Sequence, residues 1–268
     1  MSPQVPPSDP EKDLSLPEVI SQGRPVCRVI PYSEGDGATN MARDETLLDL
    51  VGSDPSMTVF RTYGWTQPTL SLGYFQSYAD ALKDPRWRDV PIVRRPTGGG
   101  AIWHDRELTY ALALPGNHPL ASNPNILYET VHAQLASCLD IPVDPLDLSR
   151  PSDPIRPFLC FNDRSVHDVL IRGHKIIGSA QRRRRGVVLQ HGSILMRRSD
   201  KTPEFPGSED LVQKPTEARS EWVALLSKKI PLALGFTTRE MEWSESDVQT
   251  TKKLEREIYR TERWTKRR

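Results

Sequence analysis

The sequence predicts an α+β fold in which a mixed, mostly antiparallel β-sheet is flanked by helices. β-rich runs bounded by turn residues dominate the centre of the chain, between residues 58 and 196. Segments with apolar residues at helical spacing come before, within and after this central part. The length of 268 residues is enough to bury one full hydrophobic core.

The chain divides into three predicted parts. Residues 1–24 are rich in proline and poor in large apolar groups, so we expect a disordered arm, because burial there cannot offset the entropy cost of ordering. Residues 25–235 carry the central strands and are predicted to form one folded domain. Residues 236–268 are predicted to form a helical extension, in which Ser244 and Asp247 have the spacing of a capping box.

The first half of the domain is predicted from local patterns. A first strand covers residues 26–32, and a helix with its N-cap at Thr39 or Asn40 ends near Gly52. The β-rich runs 58–63 and 69–75 are predicted to be neighbouring strands of one sheet. Within the second run, Gly73 indicates a bulge or a close approach of another group to the backbone.

The second half is predicted in the same way. A helix over residues 124–138 carries an apolar stripe that includes Cys138, and the five prolines of residues 141–157 indicate a connector. A hairpin turns at Arg172-Gly173, and further strand residues lie between 187 and 196. A helix over residues 217–229 opens the remainder of the chain.

The stretch from Arg94 to Asp105 is difficult to explain by packing alone. It contains three consecutive glycines, Gly98 to Gly100, between two strand-like runs. Glycine loses more backbone freedom on folding than any other residue, so a triplet costs stability unless exposed backbone is needed there. Cationic side chains next to free N–H groups suit a carboxylate or phosphate, which favours a binding loop over a plain hairpin turn.

A second dense stretch runs from Cys160 to Ser193. Lys175 lies on an otherwise apolar strand, so it is either a lysine that reaches the surface or a fixed cation in a pocket. Cys160 follows the predicted connector and is either a small core residue or a partly exposed thiol whose reactivity neighbouring cations enhance. His191 could hold a turn or transfer protons, and the residues alone leave these alternatives open.

Composition excludes several classes of protein. The formal charge of +1 and the 37% hydrophobic content are ordinary for a soluble protein, and no basic face with stacking aromatics indicates nucleic-acid binding. Three cysteines without metal-ligand spacing support neither a disulfide framework nor a zinc site. The sequence shows no signal peptide and no apolar run of about 18 residues, so we expect a cytoplasmic protein that does not act at a membrane.

Several motifs together resemble the biotin/lipoate protein ligase family, in particular its lipoate ligase and octanoyltransferase branch. The resemblance runs in order from about Arg28 to Met196. The motifs that carry it are Arg94-Arg95-x-Thr97-Gly98-Gly99-Gly100-Ala101-Ile102-x-His104-Asp105, Lys175-x-x-Gly178-Ser179-Ala180-Gln181-Arg182 and Leu189-Gln190-His191-Gly192-Ser193-Ile194-Leu195. Supporting matches are Asn40-Met41-Ala42-x-Asp44-Glu45 and the stretch from Gly64 to Gln76.

The resemblance implies a catalytic domain that transfers a medium-chain acyl group, octanoyl or lipoyl, to a lysine. The donor would be octanoyl-acyl carrier protein, and the acceptor a lipoyl domain, that of the glycine cleavage H protein or of a 2-oxoacid dehydrogenase E2. Cys160 would form the thioester and Lys175 would bind the acyl carbonyl, without a cofactor or a metal. Residues implied to line the acyl group are Gly73, Arg94, Arg95, Thr97, Gly98, Gly99, Gly100, His104, Gly178, Ser179, Ala180, Gln181, His191 and Gly192.

Other activities are compatible with the same motifs. Asn162-Asp163 resembles a stretch of the lipoate ligases, which use ATP and Mg²⁺, although the 72 residues after Met196 are few for their accessory domain. A lipoyl amidotransferase and a non-catalytic acyl-binding module are further alternatives. The run Arg182 to Arg185 would be either a docking patch for an acidic carrier protein or a solvated hairpin tip.

Overall fold

The computed structural model describes residues 24–139, 143–144, 157–212 and 219–268. The predicted disordered arm, apart from Arg24, and most of the predicted connector 141–157 lie outside these residues. The strands are β1 (Val26–Gly35), β2 (Thr58–Trp65), β3 (Thr69–Leu72), β4 (Ile92–Arg94), β5 (Ile102–His104), β6 (Glu107–Pro115), β7 (Val169–Ile171), β8 (His174–Arg184), β9 (Val187–Leu195) and β10 (Thr237–Glu240). The α-helices are α1 (Gly37–Ser53), α2 (Tyr78–Ala81), α3 (Pro124–Leu139), α4 (Ser208–Val212), α5 (Arg219–Ala233), α6 (Glu245–Leu254) and α7 (Glu262–Thr265).

The main sheet has seven strands in the order β10-β1-β2-β6-β9-β8-β7. Strand β1 pairs in parallel with β10 and β2, and every other pair in this sheet is antiparallel. The α+β fold with a mixed, mostly antiparallel sheet is therefore confirmed. None of the helices in the described part of the chain is long and apolar enough to cross a lipid bilayer.

Helices cover both faces of this sheet. Alternate residues of a strand point to opposite faces, so Leu112 of β6 packs into a core with α3 and α5, whereas Ala111 and Ala113 pack with α1 on the other side. Each buried leucine contributes about 1.5–3 kcal/mol. Cys138 is buried on the α3 stripe as predicted.

A second sheet has three strands in the order β4-β3-β5 and determines the position of the glycine stretch. The prediction that residues 58–63 and 69–75 are neighbouring strands is wrong, because β2 belongs to the main sheet and β3 to the small one. Consecutive strands usually pair, but here the turn before β3 carries the chain from one sheet to the other. The glycines connect β4 to β5, the two partners of β3.

The predicted start of α1 is corrected by a local hydrogen bond. Helix α1 begins at Gly37 because Asp36, and not Thr39 or Asn40, is its N-cap and accepts a hydrogen bond from the Thr39 N–H. Strand β8 continues through Arg184, so only Arg185 and Gly186 form the turn to β9. The predicted start of a helix at residue 217 lies outside the described residues, which resume at Arg219 within α5.

The segment 236–268, which is predicted to be helical, also contains a strand. It adds β10 to the edge of the main sheet, and α6 then packs against α1, where the Thr251 and Thr46 hydroxyls are 3.0 Å apart. The predicted capping box of Ser244 and Asp247 at the start of α6 is confirmed. Further along, Tyr259 is buried and bonded to Glu45 of α1, so this segment packs directly on the central fold.

Candidate active site

The glycine stretch and the Cys160 segment are joined by backbone hydrogen bonds. The Ala101 N–H donates to the Phe158 carbonyl and the Cys160 N–H donates to the Ala101 carbonyl, each at 2.8 Å. Cys160 opens a short 3₁₀ turn and is half-buried. The residue directly after the three glycines therefore fixes the position of the candidate nucleophile.

Two of the glycines at this junction leave no room for a side chain. A Cβ on Gly100 would lie 2.8 Å from the Cys160 nitrogen, and one on Gly73 would overlap the Gly99 carbonyl oxygen. Gly99 itself has a φ of +91°, which favours glycine. The close approach that Gly73 indicated in the sequence is thus made by the protein's own backbone.

The Lys175 ammonium lies beside the Cys160 sulfur. Its Nζ is 3.6 Å from Sγ, 3.2 Å from the carbonyl oxygens of Cys160 and Asp163, and 2.9 Å from an Asp168 carboxylate oxygen. Burial alone would lower the pKa of Lys175, but the charges of Cys160 and Asp168 outweigh it and raise this pKa above its ordinary value. Gly178 makes space for this lysine, since a Cβ there would lie 2.6 Å from Lys175 Cε.

Asp168 is a site residue that sequence reasoning missed. Its side chain and that of Lys175 are each only 5% exposed, and the Ser165 N–H also donates to the carboxylate at 2.6 Å. A buried ammonium requires a counter-ion, so the apolar pair Ile176-Ile177 next to Lys175 on β8 was a signal to search for an acid nearby. The irregular pairing of β7 with β8 brings Asp168 to Lys175 and is not visible in the sequence.

Arg94 and Arg95 were predicted to contact a bound substrate, but their guanidinium groups bind the protein. Arg95 donates to the carbonyls of Ser71, Gly98 and Gly100, and its Nε donates to the Thr97 hydroxyl. Arg94 donates to the carbonyls of Gly73, Tyr74, Gln76, Trp264 and Thr265. Burial lowers the pKa of Arg95 to about 10, so Arg95 remains a cation at neutral pH. Both arginines therefore brace the loops.

A chain of buried hydrogen bonds connects Arg95 to Asp44 of α1. Because the Arg95 Nε donates to Thr97 Oγ1, the Thr97 hydroxyl is left to donate to His191 Nε2, 2.6 Å away. The His191 Nδ1–H then donates to Asp44 at 2.7 Å. His191 and Thr97 thus position the glycine loop. His104 is also predicted to line the substrate. Its ring instead bonds to the Ser71 hydroxyl, which Arg95 also contacts, and to the Glu107 carboxylate, at 2.7 and 2.5 Å.

Ser179, Gln181 and Gly192 belong to a second buried network. The Ser179 hydroxyl lies 2.7 Å from the Tyr110 hydroxyl and 2.6 Å from His132 Nε2, and Gly192 leaves the space that this hydroxyl occupies. Gln181 donates to the Gln190 side chain at 2.8 Å. Ala180 is paired with His191 across β8 and β9. His132 lies within the predicted helix 124–138 without a motif around it, so the sequence did not indicate its place in this network.

The side chains of the arginine run, predicted to form either a docking patch or a solvated tip, make separate contacts. Arg182 donates to the Pro96 carbonyl at 2.7 Å, Arg183 donates to the Ala121 carbonyl, and Arg184 pairs with Glu45. Strand β8 directs these side chains alternately to its two faces. Only Arg185, in the turn, fits the alternative of a solvated tip.

Comparison with known proteins agrees with this geometry. The model of the family described as the lipoyl protein ligase A/B catalytic domain matches residues 36–203. The chain belongs to this family. The match contains the glycine stretch, Cys160, Lys175 and the networks that support them.

Relatives of this lipoyl protein ligase A/B catalytic domain include several octanoyltransferases. The chain is 38% identical over 168 residues to Octanoyltransferase LipM of Macrococcus caseolyticus, a match that covers 58% of this chain and 60% of the relative. It is 36% identical over 168 residues to Octanoyltransferase LipM of Staphylococcus aureus, with the same coverage. The chain thus spans about three fifths of the length of these curated relatives.

Solved structures share the fold of the lipoyl protein ligase A/B domain. A lipoate-protein ligase A bound with ATP superposes with a TM-score of 0.70 at 22% identity, over 89% of this chain and 98% of that one. The bipartite lipoate protein ligase of Thermoplasma acidophilum superposes with a TM-score of 0.64 at 21% identity, over 89% and 95%. These likenesses establish the α+β fold alone.

The buried His132 of this ligase-family domain predicts a loss of stability in mild acid. Burial lowers the pKa of His132 below its ordinary 6.5. As the pH falls below about 6.5, the unfolded chain therefore binds a proton that the folded chain excludes, and the free energy of unfolding decreases. Replacing His132 with Gln should reduce the difference between urea unfolding free energies at pH 7 and pH 5. His174→Gln, at an exposed position on β8, is the control, and an equal reduction there would contradict this account.

Proposed function

We propose that this protein is an octanoyltransferase that carries the acyl group as a thioester on Cys160. The observation that supports this most directly is the 3.6 Å approach of the Lys175 ammonium to the Cys160 sulfur beside the glycine loop. The similarity to octanoyltransferases of two bacteria favours octanoyl over other acyl groups. Cytoplasm, where acyl carrier proteins are soluble donors, is the compartment that this proposal implies.

The choice of nucleophile follows from the surroundings of the three cysteines. Burial raises the pKa of the Cys27 thiol to about 12 and also raises that of Cys138, so both remain protonated at neutral pH. Cys160 is half-buried and lies beside a cation. A thiolate is the reactive form of cysteine, so Cys160 is the residue whose position suits attack on a thioester.

In the first step the Cys160 sulfur attacks the acyl carbonyl of octanoyl-acyl carrier protein. The new sulfur–carbon bond forms as the donor's sulfur–carbon bond breaks, and the donor thiol leaves with the proton that Cys160 gave up. Charge on the carbonyl oxygen would be offset by Lys175 and by backbone N–H groups of the glycine loop. Within the described residues, the N–H groups of Gly98, Gly99 and Gly100 donate to no other group.

In the second step the amine of a lysine on a lipoyl domain attacks the enzyme thioester. An amide bond forms, the Cys160 sulfur leaves, and the amine proton passes to solvent. A thioester is more reactive than an amide, so neither a nucleotide nor a metal takes part in this proposal. If the protein were instead a lipoate ligase, ATP and Mg²⁺ would be required to activate the free acid.

Mass spectrometry of the intact protein tests the proposal. Incubation with octanoyl-acyl carrier protein should add one octanoyl group without ATP, and peptide mapping should place it on Cys160. Cys160→Ala should lose the adduct and at least about 1,000-fold of the transfer rate. Cys138→Ala, a second cysteine of the same domain, should retain both.

Other results would identify the alternatives. An adduct that persists in Cys160→Ala contradicts the proposal, and modification that requires free lipoate and ATP identifies a ligase. Transfer from a lipoylated protein, without transfer from the carrier protein, identifies an amidotransferase. Saturable acyl binding without modification of any lipoyl domain identifies a binding module.

A further inference from the structure

The segment 261–268 lies outside the family match but is fixed beside the glycine loop. Arg94 donates to the carbonyls of Trp264 and Thr265 at 3.2 and 2.8 Å, and the Trp264 indole donates back to the Arg94 carbonyl at 2.9 Å. The Tyr78 N–H donates to the Arg268 carbonyl at 2.7 Å. The backbone of this segment is therefore held by residues that surround the candidate site.

This segment and β8 together present a row of cations, which we call the basic rim and which consists of Arg182, Arg263, Lys266, Arg267 and Arg268. Several of these cations rest on aromatic rings. The Arg267 guanidinium carbon is 4.4 Å from the centroid of Tyr74, and that of Arg268 is 5.3 Å from the centroid of Phe75. The Arg182 guanidinium carbon is also 5.5 Å from the centroid of Tyr74. Cation–π contacts of this kind orient the side chains while leaving their charge uncompensated.

Little negative charge accompanies the basic rim. Lys266 pairs with Glu262 at 2.9 Å, but in the described part of the chain no Asp or Glu side chain lies within 4.0 Å of Arg182, Arg263, Arg267 or Arg268. Burial lowers the pKa of Arg94, and the nearby charges of Arg267 and Arg268 lower it further, which reflects the positive potential of this surface. Since the whole chain has a formal charge of +1, the excess is local.

The basic rim borders a groove and reaches the loop that holds Cys160. The groove has a volume of about 630 Å³ and is lined by Glu257, Ile258, Thr261, Arg263, Trp264 and Arg267, so one carboxylate faces it beside two arginines. Phe75 is 68% exposed, and its ring would lie 3.8 Å from a Cβ on Gly98. Gly98 is two residues from Gly100, at most about 7 Å along the chain, and Gly100 packs against the Cys160 backbone.

We propose that the basic rim is the docking surface for an acidic carrier protein that delivers the acyl group to Cys160. This inference rests on the proposed transferase function. A surface with uncompensated cations attracts an acidic protein over several ångströms and orients it before contact, which raises the association rate. The donor is the partner that meets the free enzyme, so this attraction is expected to act on the acylation step.

The test compares a protein donor with a small neutral donor of the same chemistry. The rate of Cys160 acylation would be measured with octanoyl-acyl carrier protein and with octanoyl-N-acetylcysteamine, which has no protein surface. Arg267→Glu with Arg268→Glu should reduce kcat/KM for the carrier protein at least about tenfold at low salt and remove most of its salt dependence. With the small thioester the change should stay within about twofold, since the chemistry at Cys160 is the same.

The matched control makes the same change of charge elsewhere. Lys228→Glu with Arg239→Glu replaces two exposed cations, and Arg239 lies on β10, five strands and therefore about 24 Å from β8 across the main sheet. These variants should change neither rate by more than about twofold. The neutral pair Arg267→Gln with Arg268→Gln should give an intermediate loss with the carrier protein.

Three outcomes would overturn the inference. An undiminished rate with the carrier protein contradicts a docking role, and equal losses with both donors indicate a local structural effect. A loss confined to transfer onto the lipoyl domain assigns the surface to the acceptor. Failure of the transferase proposal itself has a different signature, because wild-type protein would then form no adduct with either donor.

Discussion

Alanine at Gly73 is expected to lower the free energy of unfolding by about 3 kcal/mol and to abolish acyl transfer. The added Cβ would overlap the Gly99 carbonyl oxygen, and both positions are backbone, so neither can move aside as a flexible side chain can. Arg95 also holds the loop at the Gly98 and Gly100 carbonyls, at 2.6 and 2.7 Å. Relief of the overlap would therefore displace Gly100, on which the Cys160 backbone rests. Urea denaturation and the acylation rate measure the two effects.

Gly98 provides the matched control for stability. It belongs to the same triplet, but a Cβ there would meet only the Phe75 ring at 3.8 Å, an ordinary van der Waals contact. Alanine at Gly98 should change the free energy of unfolding by less than about 1 kcal/mol, since Gly→Ala at a compatible position also reduces the entropy of the unfolded chain. Similar losses for the two variants would show that the backbone crossing at Gly73 does not determine the effect.

The glycine stretch shows what a residue pattern can predict. Three glycines indicate correctly that the backbone must be approached closely, but they do not identify the group that approaches. At Gly73 and Gly100 that group is the protein's own chain, brought there by the small sheet. The sequence could not predict this sheet because β3 pairs with strands about 20 and 30 residues away instead of with the preceding strand.

The sequence also predicts which charged residues are buried better than it predicts their partners. Of the two positions that the sequence allowed for Lys175, the structure shows the buried cation. It could not show that the donors of Arg94 and Arg95 are taken up by backbone carbonyls, since those carbonyls belong to loops whose course depends on tertiary structure. For the same reason the pairing of Lys175 with Asp168 was not predicted.

Breaking that pair is expected to separate stability from catalysis. In Lys175→Met the carboxylate of Asp168 stays buried without its partner, and in Asp168→Leu the ammonium does, so each variant should lose about 3–5 kcal/mol of unfolding free energy. The double variant buries two apolar side chains instead and should recover most of this loss. Urea denaturation of the four proteins gives the coupling energy. Asp163→Asn is the control, because Asp163 binds Lys175 through its backbone carbonyl and should lose less than about 1 kcal/mol.

Acylation of Cys160 should not recover with stability. If the ammonium offsets charge at the reacting carbonyl, both proteins that lack Lys175 should acylate at least about 100-fold more slowly, whether or not they are stable. The raised pKa of Lys175 also predicts how the stability differences depend on pH. Its ion-pair stabilisation is fully present below the ordinary pKa of 10.5 and is lost only as the pH rises through the higher folded value, so the stability difference between the wild type and the double variant, neither of which buries an unpaired charge, should be constant from pH 6 to 9. A stable double variant with a normal acylation rate would contradict a role for Lys175 in the reaction. Lys175 would then serve only to neutralise the buried Asp168 carboxylate.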